Sequence, residues 1–123
     1  MNDAGLALAI AAAGGVGAGA RHLLDQAVSA RTRARFPWGI LVVNLTGAFA
    51  IGVLMGFAAD QPLVVVATTG FLGGYTTFST ASLDTVQLLG RRRYRAALAN
   101  GAGMLVAAVV LAVCGMLLGR SLV

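Results

Sequence analysis

Residues 73–82 read GGYTTFSTAS and lie within an uncharged run, 61–83, of the length needed to cross a bilayer. A membrane-spanning helix takes about 20 apolar residues, and this decapeptide is ill-suited to the middle of one. The adjacent glycines Gly73 and Gly74 make continuous helix costly. Five hydroxyls follow, on Thr76, Thr77, Ser79, Thr80 and Ser82, with Phe78 among them. A break would expose carbonyls of one half-helix and N–H groups of the next. At membrane depth such backbone is tolerated only where it is buried in protein or lines a cavity. The expectation is a third helix broken near the midplane, at Gly73–Gly74, beside a polar path.

The rest of the chain supports a membrane setting. Of its 123 residues, 59% are hydrophobic and 11% charged, whereas soluble domains carry about 25% charged residues. Residues 4–20, 37–59, 61–83 and 96–119 hold no charge at all. This predicts an all-α integral membrane protein. It would be one domain, 1–123, of four transmembrane helices with approximate spans 4–28, 37–59, 61–89 and 96–119. The apolar runs are continuous rather than alternating, which argues against a β-barrel. The first run lacks the positive leader of a signal peptide, since Asp3 is the only charge before it.

The positive charges are all arginine, which removes lysine-dependent phosphate loops and Schiff bases. The single cysteine, Cys114, excludes an intrachain disulfide and a cysteine zinc cluster. With one histidine, His22, no transition-metal site is expected. No nucleophile–base pair or carboxylate pair is available, so an enzyme is not expected.

Arg31, Arg33 and Arg35 lie between the first and second spans; Arg91, Arg92, Arg93 and Arg95 lie between the third and fourth. The opposite side carries only Arg120, a bias of seven against one. Arg-rich loops face the cytoplasm, so the termini are expected outside a cell membrane. Arg91–Arg93 reads as this topology signal, which also meets anionic lipid, rather than as a nucleic-acid patch.

Gly15 and Gly19, Gly52 and Gly56, and Gly115 and Gly119 are each four apart. Such pairs let helix backbones approach in lipid, either within one subunit or between two. Four short helices enclose a polar path poorly, which favours an oligomer, most simply a dimer. Thr46, Thr68 and Thr69 are expected to bond back to their own helices. For Asn44, position alone leaves a helix–helix hydrogen bond and a pore lining both open.

Hydroxyls and N–H groups can replace the water around a small anion, and a phenyl ring presents a positive edge. Carbonyls at a helix break can bind Na⁺. With no ring of acidic residues in the spans, the residue types suit an anion path. Arg21 is placed to snorkel to the interface or to concentrate anions at a pore mouth. Asp84, at the end of the third span, is expected to partner an arginine.

Three motifs resemble those of the small Fluc fluoride channels, also called CrcB. They are Gly17-Ala18-Gly19-Ala20-Arg21, Trp38-Gly39-Ile40-Leu41-Val42-Val43-Asn44-Leu45-Thr46-Gly47, and the most specific, Gly70-Phe71-Leu72-Gly73-Gly74-Tyr75-Thr76-Thr77-Phe78-Ser79-Thr80. The resemblance implies an antiparallel dimer with two pores for passive fluoride export. It implies a structural sodium ion at the dimer centre on backbone carbonyls of Gly73 and Thr76. It assigns Asn44 and Phe78 to the fluoride path, with Thr77, Ser79 and Thr80 as polar lining. Arg21 matches the family arginine, and Asp84 stands where a glutamate is common.

Ala81 departs from the pattern, because the family usually has a second phenylalanine there. The seven-to-one arginine bias also fits poorly with a chain that inserts both ways. Both features would follow if this chain were half of a heterodimer whose oppositely inserted paralogue supplies the missing ring. Two rival functions fit four short helices. A small multidrug-resistance-type cation/proton antiporter normally needs a carboxylate in its first span, and residues 4–20 have none. A non-conducting assembly subunit predicts that Asn44 and Phe78 are dispensable for transport.

Overall fold

The computed structural model describes residues 2–32 and 36–123; Arg33 and Arg35, counted above, lie outside the described residues. All regular elements among the described residues are helices. Helix α1 (Asp3–Arg31) starts where the Asn2 side chain accepts the Gly5 N–H at 2.6 Å, satisfying one of the free donors of its first turn. Helix α2 spans Trp38–Ala58. The third expected span is in two pieces, α3 (62–75) and α4 (Phe78–Gly90). Helix α5 spans Tyr94–Ser121.

Pro62 opens α3 at a position where its missing N–H costs nothing. The α4–α5 turn is closed by Arg92 N–H to Leu89 C=O and Arg93 N–H to Leu88 C=O, with Arg92 at φ 59°. This is the bonding pattern of a glycine-type helix terminus, built here on an arginine. Helices α1, α2 and α5 are each long and apolar enough to cross a membrane. Within α3 and α5, residues Val66–Leu72 and Ala99–Gly103 widen into π-type turns, shown by the Gly73 N–H reaching Thr68 C=O.

Glycines decide how these helices pack. On α2, Gly52 and Gly56 lie against the backbone of Ala112 and Met116, while Gly115 and Gly119 of α5 lie against Phe49 and Val53. The spacing that left open a contact within or between subunits thus serves, in these two pairs, the α2–α5 contact within one chain. Gly15 and Gly19 face open space instead. The α1–α3 contact uses glycines outside those three pairs: Gly17 meets Phe71, Gly70 meets Ile10, and Gly74 meets Gly14. Lipid tails are as apolar as the side chains, so helix association rests on such close van der Waals contact. The buried core is accordingly small, with Val43 and Asn100 the largest side chains fully enclosed. Leu8, Leu63, Leu105 and Val106 are among many large apolar residues left facing outward.

A side chain on Gly52 would enter the Ala112 backbone, whereas Gly90 has open space around it. Gly52→Leu is expected to destabilise the fold by about 1–3 kcal/mol, the cost of overpacking. Gly90→Ala is expected to be close to neutral. Thermal melts of the two variants, followed by helical circular dichroism, check the contrast.

Candidate functional site

Helix α3 runs through Gly73 and Gly74 uninterrupted, so the break does not fall where the glycines placed it. The chain leaves helical geometry at Thr76 (φ −83°, ψ 156°) and Thr77 (φ −149°, ψ 121°), then resumes at Phe78. Gly74 is there for its contact with Gly14, and Gly73 lies exposed on the surface.

What interrupts the helix is a competitor for its backbone. Thr77 N–H donates to Asn44 Oδ1 at 2.8 Å, and Asn44 Nδ2 donates to Thr77 C=O at 2.8 Å. One side-chain amide thus pairs both peptide groups of Thr77, as a neighbouring strand would. The second Nδ2 hydrogen goes to Met104 Sδ at 3.3 Å. Of the two roles left open for Asn44, the helix–helix hydrogen bond is therefore present. Gly47, one turn further along α2, leaves room for the Thr76 methyl and the Tyr75 ring. Thr46 Oγ1 pairs with Tyr75 Oη at 2.9 Å and bonds back to Val42 C=O at 2.7 Å. Thr68 bonds back to Val64 C=O at 2.8 Å.

Thr77 also caps α4, its Oγ1 accepting the Thr80 N–H at 3.3 Å. The Ser79 and Thr80 hydroxyls each lie 3.4 Å from the same oxygen. Three of the expected lining residues therefore form one cluster on the first turn of α4. Thr76 differs, because its hydroxyl is spent on Leu72 C=O at 2.9 Å. Phe78 projects from the cluster with 85% of its surface exposed. It borders a cavity of about 690 Å³ that Asn44, Thr77, Ala81, Ser82 and Met104 also line.

The carbonyls of Gly73 and Thr76 receive no hydrogen bond among the described residues, since Thr77 N–H is diverted to Asn44 and Thr80 N–H to Thr77. Carbonyl oxygens left without donors at a helix end are the kind of group that can hold a hard cation such as Na⁺.

Arg21 is half-buried on α1, and Asp84 half-buried on α4. The expected arginine partner of Asp84 is not found among the described residues; its charged neighbour is Asp25 of α1. Packing causes this, since the Asp25 side chain lies against Gly39 in the first turn of α2. There the helix dipole favours a carboxylate. Asp84 and Arg91 line a second cavity of about 250 Å³ without pairing.

The part played by Asn100 is visible only in the fold. Fully buried in the π-type turn of α5, Asn100 donates to Thr85 Oγ1 at 2.9 Å and Ala81 C=O at 3.2 Å. It fastens α5 to α4, and its Oδ1 has no partner among the described residues. A lone amide in a membrane-length run is the signal that marked it.

The family model described as "CrcB-like protein, Camphor Resistance (CrcB)" matches residues 8–116. The chain belongs to the CrcB family. It is 45% identical over 116 residues to a protein of Leifsonia xyli subsp. xyli named fluoride-specific ion channel FluC 1, covering 91% of this chain and 85% of the relative. A fluoride-specific ion channel FluC 2 of Mycolicibacterium paratuberculosis is 42% identical over 122 residues, 99% of this chain and 97% of that one. Another FluC 2, of Mycobacterium tuberculosis, is 44% identical over 107 residues, 87% of this chain and 82% of the relative. The motifs that suggested this CrcB family member are thus joined by likeness over nearly the whole chain.

Replacing Asn44 by alanine strands the Thr77 N–H and C=O away from water. A cost of about 1–3 kcal/mol is expected for a buried polar group left unpaired. Amide hydrogen exchange at Thr77 should quicken in Asn44→Ala relative to the unchanged chain, while exchange in the middle of α2 stays slow.

Proposed function

We propose that this chain is a subunit of a passive fluoride channel. It is a multi-pass membrane protein and not an enzyme. The observation that carries the reading is the clamped break, with Phe78 and the Thr77–Ser79–Thr80 hydroxyls gathered where α4 restarts beside a cavity. Fluoride is small and strongly hydrated, so a selective path must replace its water with donors. The free N–H groups and hydroxyls at the start of α4 are such donors, and a half-helix N-terminus favours an anion. The Phe78 ring edge adds a weakly positive surface. Arg21 raises the anion concentration at the mouth. The antiporter reading is disfavoured because residues 4–20 hold no carboxylate, and Asp25, later in α1, packs against Gly39 at the start of α2.

The assembly is an antiparallel pair of subunits, with the Arg-rich loops of this chain in the cytoplasm and its termini outside. Exposed Gly73 and the unpaired carbonyls of Gly73 and Thr76 support a contact around a sodium ion at the centre of the pair. When bound, that ion would neutralise carbonyl dipoles that otherwise face each other. The partner is a second copy or a paralogue, and two features favour the paralogue. One is the arginine bias. The other is Ala81, which is buried against Ile40 and Met104 and presents no ring to the cavity. A non-conducting assembly role would leave Phe78 and the hydroxyl cluster without a use.

Fluoride efflux from liposomes, read by a fluoride electrode, tests the function. The assembly containing this chain should conduct, and Phe78→Ala should reduce efflux to that of protein-free liposomes. Efflux undiminished in Phe78→Ala would support the assembly role instead. The chain alone should conduct poorly and gain efflux on co-expression with a paralogue bearing the second phenylalanine; full efflux by the chain alone would exclude the paralogue requirement.

A further inference from the structure

Asn44 has two amide hydrogens on Nδ2. One is committed to the Thr77 carbonyl at 2.8 Å, where it helps hold the break. The other points at Met104 Sδ, 3.3 Å away. These two bonds differ in kind. A backbone carbonyl is a strong acceptor, whereas a thioether is a weak one. Met104 is 6% exposed, packs with Ile40 and Ala81, and lines the same cavity as Asn44, Thr77 and Phe78. Its side chain is unbranched with three rotatable bonds, so it can leave a contact without moving the backbone.

We infer that Met104 is a displaceable stand-in for the transported anion at Asn44: its sulfur holds the amide hydrogen that fluoride takes when it passes. The inference rests on the fluoride-path reading above. A buried N–H left bare would be costly, so an empty path needs some acceptor there. A strong one would compete with the anion and trap the site closed. A thioether satisfies the donor weakly and yields to fluoride. Ala81 allows the exchange, because a small side chain beside Met104 leaves cavity into which the methionine can turn. Met104 is thus a positioning residue for the Asn44 donor rather than a ligand of the anion.

The test uses the assembly that conducts in the efflux assay, in lipid nanodiscs, with its methionine methyl groups carbon-13 labelled. The chain has four methionines, and Met104 is assigned from the spectrum of Met104→Leu. Titration with sodium fluoride should shift the Met104 methyl resonance in a saturable way. Sodium chloride should not, and Met55 and Met116 should stay unmoved in both. In liposomes, Met104→Ala should raise fluoride efflux by about threefold, the size of one weak hydrogen bond lost from the competition. A Met104 methyl that stays still under fluoride while efflux is normal overturns the inference and leaves the channel reading standing. Efflux that fails to rise in a folded Met104→Ala also overturns it. Absence of efflux from every assembly, with no fluoride-dependent shift, overturns the channel reading and this inference with it.

Discussion

One side-chain amide pairing both peptide groups of Thr77 is the constraint on which this molecule depends. A helix crossing a bilayer satisfies its own backbone, and any residue removed from it must be satisfied by something else. Asn44 supplies that substitute from the neighbouring helix, using acceptor and donor together. The consequences spread from there. Thr77 becomes a cap, α4 gains a free N-terminus, and the carbonyls closing α3 lose their donors. Two peptide groups are thus held out of helical geometry in an apolar protein without a buried charge, whose desolvation would cost far more than that of an amide.

Glycine packing makes that clamp possible. Asn44 reaches Thr77 only because α2 lies close to the end of α3, and Gly47 provides the space against Thr76 and Tyr75. The α2–α5 and α1–α3 contacts are backbone-to-glycine as well, so these helices hold together with a small enclosed core. The π-type turns fall beside these packing features. One lies in α3 just ahead of the break, and the other carries Asn100 into its bonds with Thr85 and Ala81.

The helices themselves were legible because charge is absent from long runs and concentrated between them. The interruption of the third helix was legible too, in the hydroxyl-rich stretch that a membrane helix cannot easily carry. Its position was not. Gly73 and Gly74 drew the break to themselves by propensity, yet a close helix contact holds Gly74 in regular structure, and propensity yields to packing. The true break needed knowledge that Asn44, 33 residues earlier, sits opposite Thr77, and no local pattern contains that. The missing Asp84–arginine pair has the same origin. Opposite charges near helix ends suggested a bond, while three-dimensional packing brought Asp25 beside Asp84 instead. Met104 looked like an ordinary span residue, and Asn100 stood out only as an amide in an apolar run, because the importance of each lies in what it touches.

Thr76 and Thr77 are extended, and Asn44 holds them so. Solid-state NMR of the chain in lipid bilayers addresses this directly, through the backbone carbon shifts of the two threonines and the dipolar coupling between the Asn44 side-chain amide carbon and the Thr77 nitrogen. Extended shifts at both residues, with a coupling that reports direct hydrogen-bonded contact, are the predicted result. Helical shifts through residues 73–82 with no such coupling would show that Asn44 does not clamp Thr77.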